Sequence, residues 1–207
     1  MTNIIGSVLK VNNYKVIILD NYYTSEEYDS IFEECLFLGS TEKMLSADKT
    51  KAAMATDGFL EKQNYGIFIN TLYNQKNISN ILHHNRKIFK KEITEELEKI
   101  DIIFRQIKNS TIDSTLLSYY EDGDYYQAHH DCSSITVLSW FFKTPKSFSG
   151  GDIYFEKDKN LFIECKNNRT IIFPSFLIHE VEKVKMNSDK IGKKFGRFCL
   201  SQFINFI

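Results

Sequence analysis

The chain has 207 residues, 43% hydrophobic and 14% aromatic, which suffices for a substantial core and excludes global disorder. Its 26 basic and 27 acidic residues leave a formal net charge of −1, so nothing electrostatic points to a nucleic-acid or membrane partner. Met1 to Lys10 is too weakly apolar for a signal peptide, and no apolar run is long enough to span a bilayer. Cys35, Cys132, Cys165 and Cys199 form no Cys-x-x-Cys pair and no zinc-ribbon spacing, so free thiols in a reducing, cytoplasmic compartment are expected. Cys132 reads as a small strand residue.

In chain order, Tyr14 to Leu19 is a short apolar run with β-branched residues and predicts a strand. Thr24-Ser-Glu-Glu reads as a helix N-terminus, and Tyr28, Ile31, Phe32 and Cys35 at helical spacing carry that helix to about Leu38. Thr41 to Asp57 reads as a loop. Arg86 to Ile107 is the longest helical pattern, with Ile88, Phe89, Ile93, Leu97, Ile100, Ile103 and Phe104 as its apolar stripe. Beyond Ser110 the texture changes to short strands. Candidates are Ser114 to Tyr120, Ile135 to Phe142, Asp152 to Phe155, Asn160 to Cys165, Thr170 to Phe173, Val181 to Val184 and Arg197 to Phe206. Turn signals at Asp122-Gly123, Ser149-Gly150-Gly151 and Asn167-Asn168 separate several of them. The expectation is a single α+β domain: residues 1–110 as an α-rich support with outer strands, residues 111–207 as a jelly-roll core.

The chemistry concentrates in His129, Asp131 and His179. Alternation along an extended strand puts His129 and Asp131 on one side and turns His130 away. His179 follows 48 residues after Asp131. Two imidazoles and a carboxylate, without thiolates, suit Fe(II), Mn(II), Ni(II) or Zn(II), and leave coordination positions open.

The surroundings narrow the choice. Tyr120-Glu-Asp-Gly123-Asp-Tyr-Tyr126-Gln-Ala-His129-His-Asp131 resembles the Tyr-x-x-Gly-x-x-Tyr-x-x-His-x-Asp pattern of the prolyl 4-hydroxylase-like 2-oxoglutarate/Fe(II) dioxygenases. Gly150-Gly151-Asp-Ile-Tyr-Phe155, Asn168-Arg-Thr-Ile-Ile-Phe-Pro174, His179-Glu-Val and Gly196-Arg197-Phe-Cys-Leu-Ser201 resemble further landmarks, in that family's order. The resemblance covers roughly residues 112–207 and implies a double-stranded β-helix (cupin-like) core. It implies Fe(II) held by His129, Asp131 and His179, with 2-oxoglutarate as co-substrate and O₂ as oxidant. Ascorbate is an accessory the family pattern also allows. Related halogenases replace the carboxylate ligand; Asp131 is present, so oxygenation is implied.

On the same pattern, the far carboxylate of 2-oxoglutarate needs a buried cation. Arg197 is the match, since a guanidinium fork pairs bidentately with a carboxylate. Ser201, on the same strand face, could add a hydroxyl. Arg197 follows His179 by 18 residues, a longer step than the family usually shows, and Asn187 to Lys190 suggests an inserted turn. Lys183, Lys185 and Lys190 are the competing cations. Tyr120 and Tyr126 are expected, on the family pattern, to line the co-substrate or substrate pocket, or else to be core aromatics. Trp140 is expected either as a pocket aromatic or as plain core, with Ile153 as an apolar wall. Gly150-Gly151 reads as a tight turn. His83 and His84 read as surface or helix-flanking.

The activity implied is hydroxylation of an unactivated C–H with release of succinate and CO₂. The leading substrate is a prolyl residue of a protein or peptide; the alternative is a free amino acid or other small metabolite. Residues 40–75 would shape the pocket mouth and so decide between them. The related nucleic-acid demethylases carry a second arginine six residues after the first, a position held here by Phe203. A non-enzymatic binding module on the same fold is the remaining class.

Overall fold

A computed structural model describes residues 6–50 and 61–205. In chain order the strands and helices are β1 (Ser7–Val11), β2 (Tyr14–Asp20), α1 (Ser25–Gly39), β3 (Leu45–Ser46), β4 (Lys62–Gln63), β5 (Tyr65–Phe68), α2 (Asn80–Asn85), α3 (Lys91–Ile100) and α4 (Arg105–Lys108). The second half continues with β6 (Ile112–Tyr120), β7 (Tyr125–His129), β8 (Ile135–Phe141), β9 (Phe148–Ser149), β10 (Ile153–Phe155), β11 (Asp158–Ile163), β12 (Arg169–Pro174), β13 (His179–Val181), β14 (Lys185–Met186) and β15 (Arg197–Asn205).

A large antiparallel sheet runs β1-β2-β12-β8-β15-β6-β5-β3, and a smaller one runs β11-β10-β13-β7-β4. The two close on each other as the double-stranded β-helix expected from the sequence. Strand parity divides the large sheet between two cores. Phe198, Leu200 and Ile204 of β15, with Ile135, Val137 and Phe141 of β8, pack with the helices. Cys199 of β15, with Leu138 and Trp140 of β8, packs between the sheets.

Helix α1 begins as read. Thr24 caps it, its side chain accepting from Glu27 N–H while the Glu27 carboxylate accepts from Thr24 N–H, a reciprocal capping box. Ile31, Cys35 and Leu38 form its buried face.

The Arg86 to Ile107 pattern is not one helix. It breaks at Lys90 (φ −63°, ψ 137°) and again at Asp101 (φ −154°, ψ 134°), whose carboxylate caps the next turn at Ile103 N–H. The breaks let Ile88, Leu97, Phe104 and Ile107 all bury against the large sheet, which a straight rod would not allow. The longest helix is therefore α1.

The N-terminal region also contributes more strand than its sequence texture suggested. β1 and β2 form a hairpin across Asn12-Asn13, with Asn12 at φ 52°, and lengthen the large sheet at one edge. β3 and β5 lengthen it at the other edge, and β4 extends the small sheet. The predicted strand at Val181 to Val184 begins earlier: β13 starts at His179. Part of the Thr41 to Asp57 loop, and part of the 40–75 mouth region, lie outside the described residues.

Candidate functional site

Between the sheets lies a cavity of about 660 Å³. Its lining includes His129, Asp131, His179, Tyr120, Tyr126, Arg197 and Ser201. The sequence-predicted residues therefore meet at one place, although their spacing spans four strands.

His129 ends β7 and His179 begins β13, and the two are direct partners across the antiparallel ladder. The next matched pair is Val181 with Tyr126, so β7 carries one extra residue over this interval. That bulge rotates the strand and brings Tyr126 and His129, three apart, to the same side. Their rings stack at 3.5 Å between centroids and 10° between planes. Asp131 is not on the strand, as simple alternation supposed; it lies beyond the strand's end, immediately before a bend at residues 132–134. Its N–H donates to Ser175 O at 2.9 Å, which ties this segment to the chain beyond β12. Cys132, read as a strand residue, is exposed in the same bend. His130 is exposed at the cavity rim.

The ligand atoms of His129, Asp131 and His179 all lie within 4.8 Å of one another. His129 Nε2 is 3.8 Å from Asp131 Oδ1, and His179 Nε2 is 3.6 Å from Asp131 Oδ2. Each imidazole is oriented from behind. His129 Nδ1 contacts Gln127 O at 2.8 Å and His179 Nδ1 contacts Leu177 O at 2.9 Å. A carbonyl oxygen only accepts, so Nδ1 carries the proton in both rings and each Nε2 presents a lone pair to the cavity. Burial, reinforced by the neighbouring His179, pushes His129 down to about 3, so its ring is neutral at pH 7. Thr136 Oγ1 donates to Asp131 Oδ2 at 2.7 Å and is itself 2.8 Å from Ser175 Oγ. This chain of hydroxyls fixes which way the carboxylate faces. Two imidazoles and one carboxylate, converging and held from behind, fit a divalent transition metal.

Arg197 opens β15 opposite Tyr120 of β6 and is fully buried. Its Nη1 donates to Gly151 O, while its Nε has no hydrogen-bond partner. Among the described residues no carboxylate pairs with it. The guanidinium lies 4.5 Å from the Tyr120 ring centroid and 5.8 Å from that of Trp140. A buried, unpaired charge is costly, so this arrangement is suited to an anion arriving in the cavity. Two glycines make room for it. Gly151 sits at φ +77°, and a Cβ there would meet Arg197 Cδ at 3.1 Å. A Cβ on Gly196 would lie 2.0 Å from Tyr120 O, so only glycine permits β15 to start this close to β6.

Ser201 lines the cavity on the same face as Arg197 and Cys199, and Ile153 forms part of its wall. Trp140 does not line it; the indole is buried behind Arg197 with Nε1 unpartnered. The long step from His179 to Arg197 is filled by β14, a single 3-10 turn at Ser188–Lys190 and Gly192 at φ +74°. Of the competing cations, Lys183 lies over Tyr125 and Lys190 over Phe195, and neither they nor Lys185 line the cavity. His83 and His84 sit on α2, the latter 3.1 Å from Ser30 Oγ.

Among the lining residues that the sequence reading did not single out, one is a buried cation. Lys62, on β4, is only 1% exposed and lies 5.5 Å over the Tyr126 ring. Burial pushes its ammonium down to about 8. Its strand has two residues and no alternation, so nothing local marks it.

Residues 115–205 match the sequence model of the 2OG-Fe(II) oxygenase superfamily. An uncharacterised PKHD-type hydroxylase of Synechocystis sp. is 32% identical over 106 residues, covering 42% of this chain and 34% of that protein. The match thus spans about a third of the curated relative's length. Among solved structures, a Pseudomonas putida prolyl-4-hydroxylase superposes with a TM-score of 0.59 at 10% identity, over 93% of this chain and 92% of that one. A viral collagen prolyl hydroxylase from Paramecium Bursaria Chlorella virus-1 superposes with a TM-score of 0.53 at 14% identity, over 93% and 96%. At such identities these two establish the fold. The family named by the sequence match uses Fe(II), 2-oxoglutarate and O₂, and the donor set and the unpaired arginine described above fit that group. Over residues 115–205, less than half of its length, the chain is similar to the 2OG-Fe(II) oxygenase superfamily.

Proposed function

We propose that this protein is an Fe(II)- and 2-oxoglutarate-dependent hydroxylase, with His129, Asp131 and His179 as the metal ligands. The observation that carries the reading is the convergence of those three side chains with an unpaired, fully buried Arg197 in one cavity. When bound, the group supplies the oxidising power that inserts one oxygen atom of O₂ into a C–H bond, while 2-oxoglutarate leaves as succinate and CO₂.

The residues do the positioning. The Nδ1–H donors to Gln127 and Leu177 carbonyls hold both imidazoles in the ligating tautomer. Thr136 and Ser175 fix the Asp131 carboxylate. Arg197 receives the far carboxylate of 2-oxoglutarate, with the Tyr120 ring beneath the guanidinium and Ser201 on the same face. Trp140 backs that guanidinium. Tyr126 stacks on His129 and, with Ile153 and Leu138, keeps the reacting region apolar. Residues 1–110 support this core, so that the whole chain acts as one catalytic unit.

The substrate of the leading reading is a prolyl residue of a protein or peptide, the class named for the two structural neighbours. A second reading, a free amino acid or similar small metabolite, is favoured by the buried Lys62 in the same cavity. Mass spectrometry of succinate-coupled turnover, run across prolyl peptides and free amino acids, tests both. A product heavier by about 16 Da identifies the class, because hydroxylation adds one oxygen. Undiminished 2-oxoglutarate turnover after His129→Ala would refute the ligand assignment.

A further inference from the structure

The cavity holds two buried cations, and the proposed reading employs one of them. Arg197 lies against Tyr120 and Trp140 and its charge acts on Tyr120, Cys165 and Cys199. Lys62 has a different neighbourhood: its ammonium overlies Tyr126 and its charge acts on His129. The placement follows from sheet pairing: Lys62 is the ladder partner of Tyr126, so both side chains leave the sheet on the same side. Among the described residues, no carboxylate lies within ion-pair distance of the Lys62 ammonium, even though Glu61 lines the same cavity.

An ammonium buried with no carboxylate partner among the described residues is unfavourable for the same reason as the Arg197 guanidinium. The far carboxylate of 2-oxoglutarate requires one cation, and the fork geometry assigns that task to Arg197. Lys62 is left beside the proposed metal ligands, over the Tyr126 ring that stacks on His129. An ammonium is a compact point charge with three donors, suited to a carboxylate whose orientation is fixed by other contacts.

We infer that Lys62 binds a free carboxylate on the substrate, which selects the second of the two proposed substrate classes: a small carboxylic acid such as a free amino acid, in place of an internal prolyl residue of a peptide. This inference rests on the proposed function, because it divides the two cations between co-substrate and substrate. It also explains why a lysine is buried on a strand of two residues at the cavity wall.

The test uses the whole chain, loaded with Mn(II) and 2-oxoglutarate without oxygen, and reads binding by calorimetry. The probes are the free L-amino acids and their carboxamides, which differ only in the charge offered to Lys62. At least one free acid is expected to bind about tenfold or more tighter than its amide, as a charge-assisted hydrogen bond would give. Lys62→Met should erase that preference and Lys62→Arg should retain it, with 2-oxoglutarate affinity unchanged within about twofold in both. Three results overturn the inference: no acid preferred over its amide by the wild-type protein, a preference that survives Lys62→Met, or a loss of 2-oxoglutarate affinity in Lys62→Met. The last would reassign Lys62 to the co-substrate. Failure of the wild-type protein to bind 2-oxoglutarate overturns the proposed function itself, and the inference with it.

Discussion

The two faces of the large sheet are built from the same strands but to opposite ends. On the helix side, β15 offers Phe198, Leu200 and Ile204 to a continuous apolar core. On the cavity side it offers Arg197, Cys199 and Ser201, and leaves Arg197 Nε without a partner. One face is satisfied by itself; the other is satisfied by what it binds. Stability should therefore be governed by one parity of the strand and binding by the other.

The strongest way to break this comparison is at the proposed metal ligands. His129→Ala, Asp131→Ala or His179→Ala should lower metal-dependent succinate formation by more than about a hundredfold, since changes merely behind such ligands already cost about 10- to 100-fold. Circular dichroism should show the fold retained, and a variant that turns over normally would remove that residue from the set.

Arg197→Met separates the two roles next. The variant should lose roughly 10²- to 10³-fold in 2-oxoglutarate affinity, yet unfold within about 1 kcal/mol of the parent, because an unpaired buried charge contributes little to stability. Calorimetry and chemical denaturation read the two quantities. A large loss of stability with affinity intact would make Arg197 structural.

Leu200→Ala, on the other parity, should do the reverse. Removing a leucine that is 1% exposed should cost about 2–5 kcal/mol, while the fraction that remains folded binds Mn(II) and 2-oxoglutarate as before. Thr136→Val is subtler: it removes the hydroxyl that donates to Asp131 and should weaken Mn(II) binding about 10- to 100-fold.

The smallest effect concerns pH. His129 is held at about 3, against 6.5 for a free imidazole. Between those values the unfolded chain binds more protons than the folded one, so the stability of metal-free protein is full above about pH 6.5 and falls as pH drops towards 3. The loss at pH 5 should be on the order of 1–2 kcal/mol. Denaturation at pH 7 and pH 5 measures it, and His129→Gln should flatten the difference; an equal slope in the variant would assign the effect elsewhere.

Some of this architecture was legible in local sequence. The capping box of α1 needs only Thr24 and Glu27, and both lie within one turn. The alternation of β8 and β15 is visible because side-chain direction reverses at every residue. The proposed metal ligands and the arginine stood out because their neighbouring motifs are short and ordered. Where the pattern misled, the cause was tertiary. Arg86 to Ile107 has the periodicity of one helix, but Lys90 and Asp101 adopt extended backbone so that separate turns can each bury a face. His129 and Asp131 do not share a face through strand alternation. A bulge opposite β13 turns the first, and a segment beyond the strand's end, pinned to Ser175, carries the second.

The sequence by itself therefore determined which groups are available: two imidazoles, a carboxylate and a guanidinium, in an order that resembles a known family and implied the fold class. Those are properties of residue type and short spacing, which no packing alters. Only the tertiary structure decided the company they keep. Arg197 is left unpaired because β15 pairs with β6 at Tyr120, and Lys62 enters the cavity because a two-residue strand pairs with β7 at Tyr126. Such ladders join residues far apart in the chain, and their register follows from global burial rather than from any local pattern.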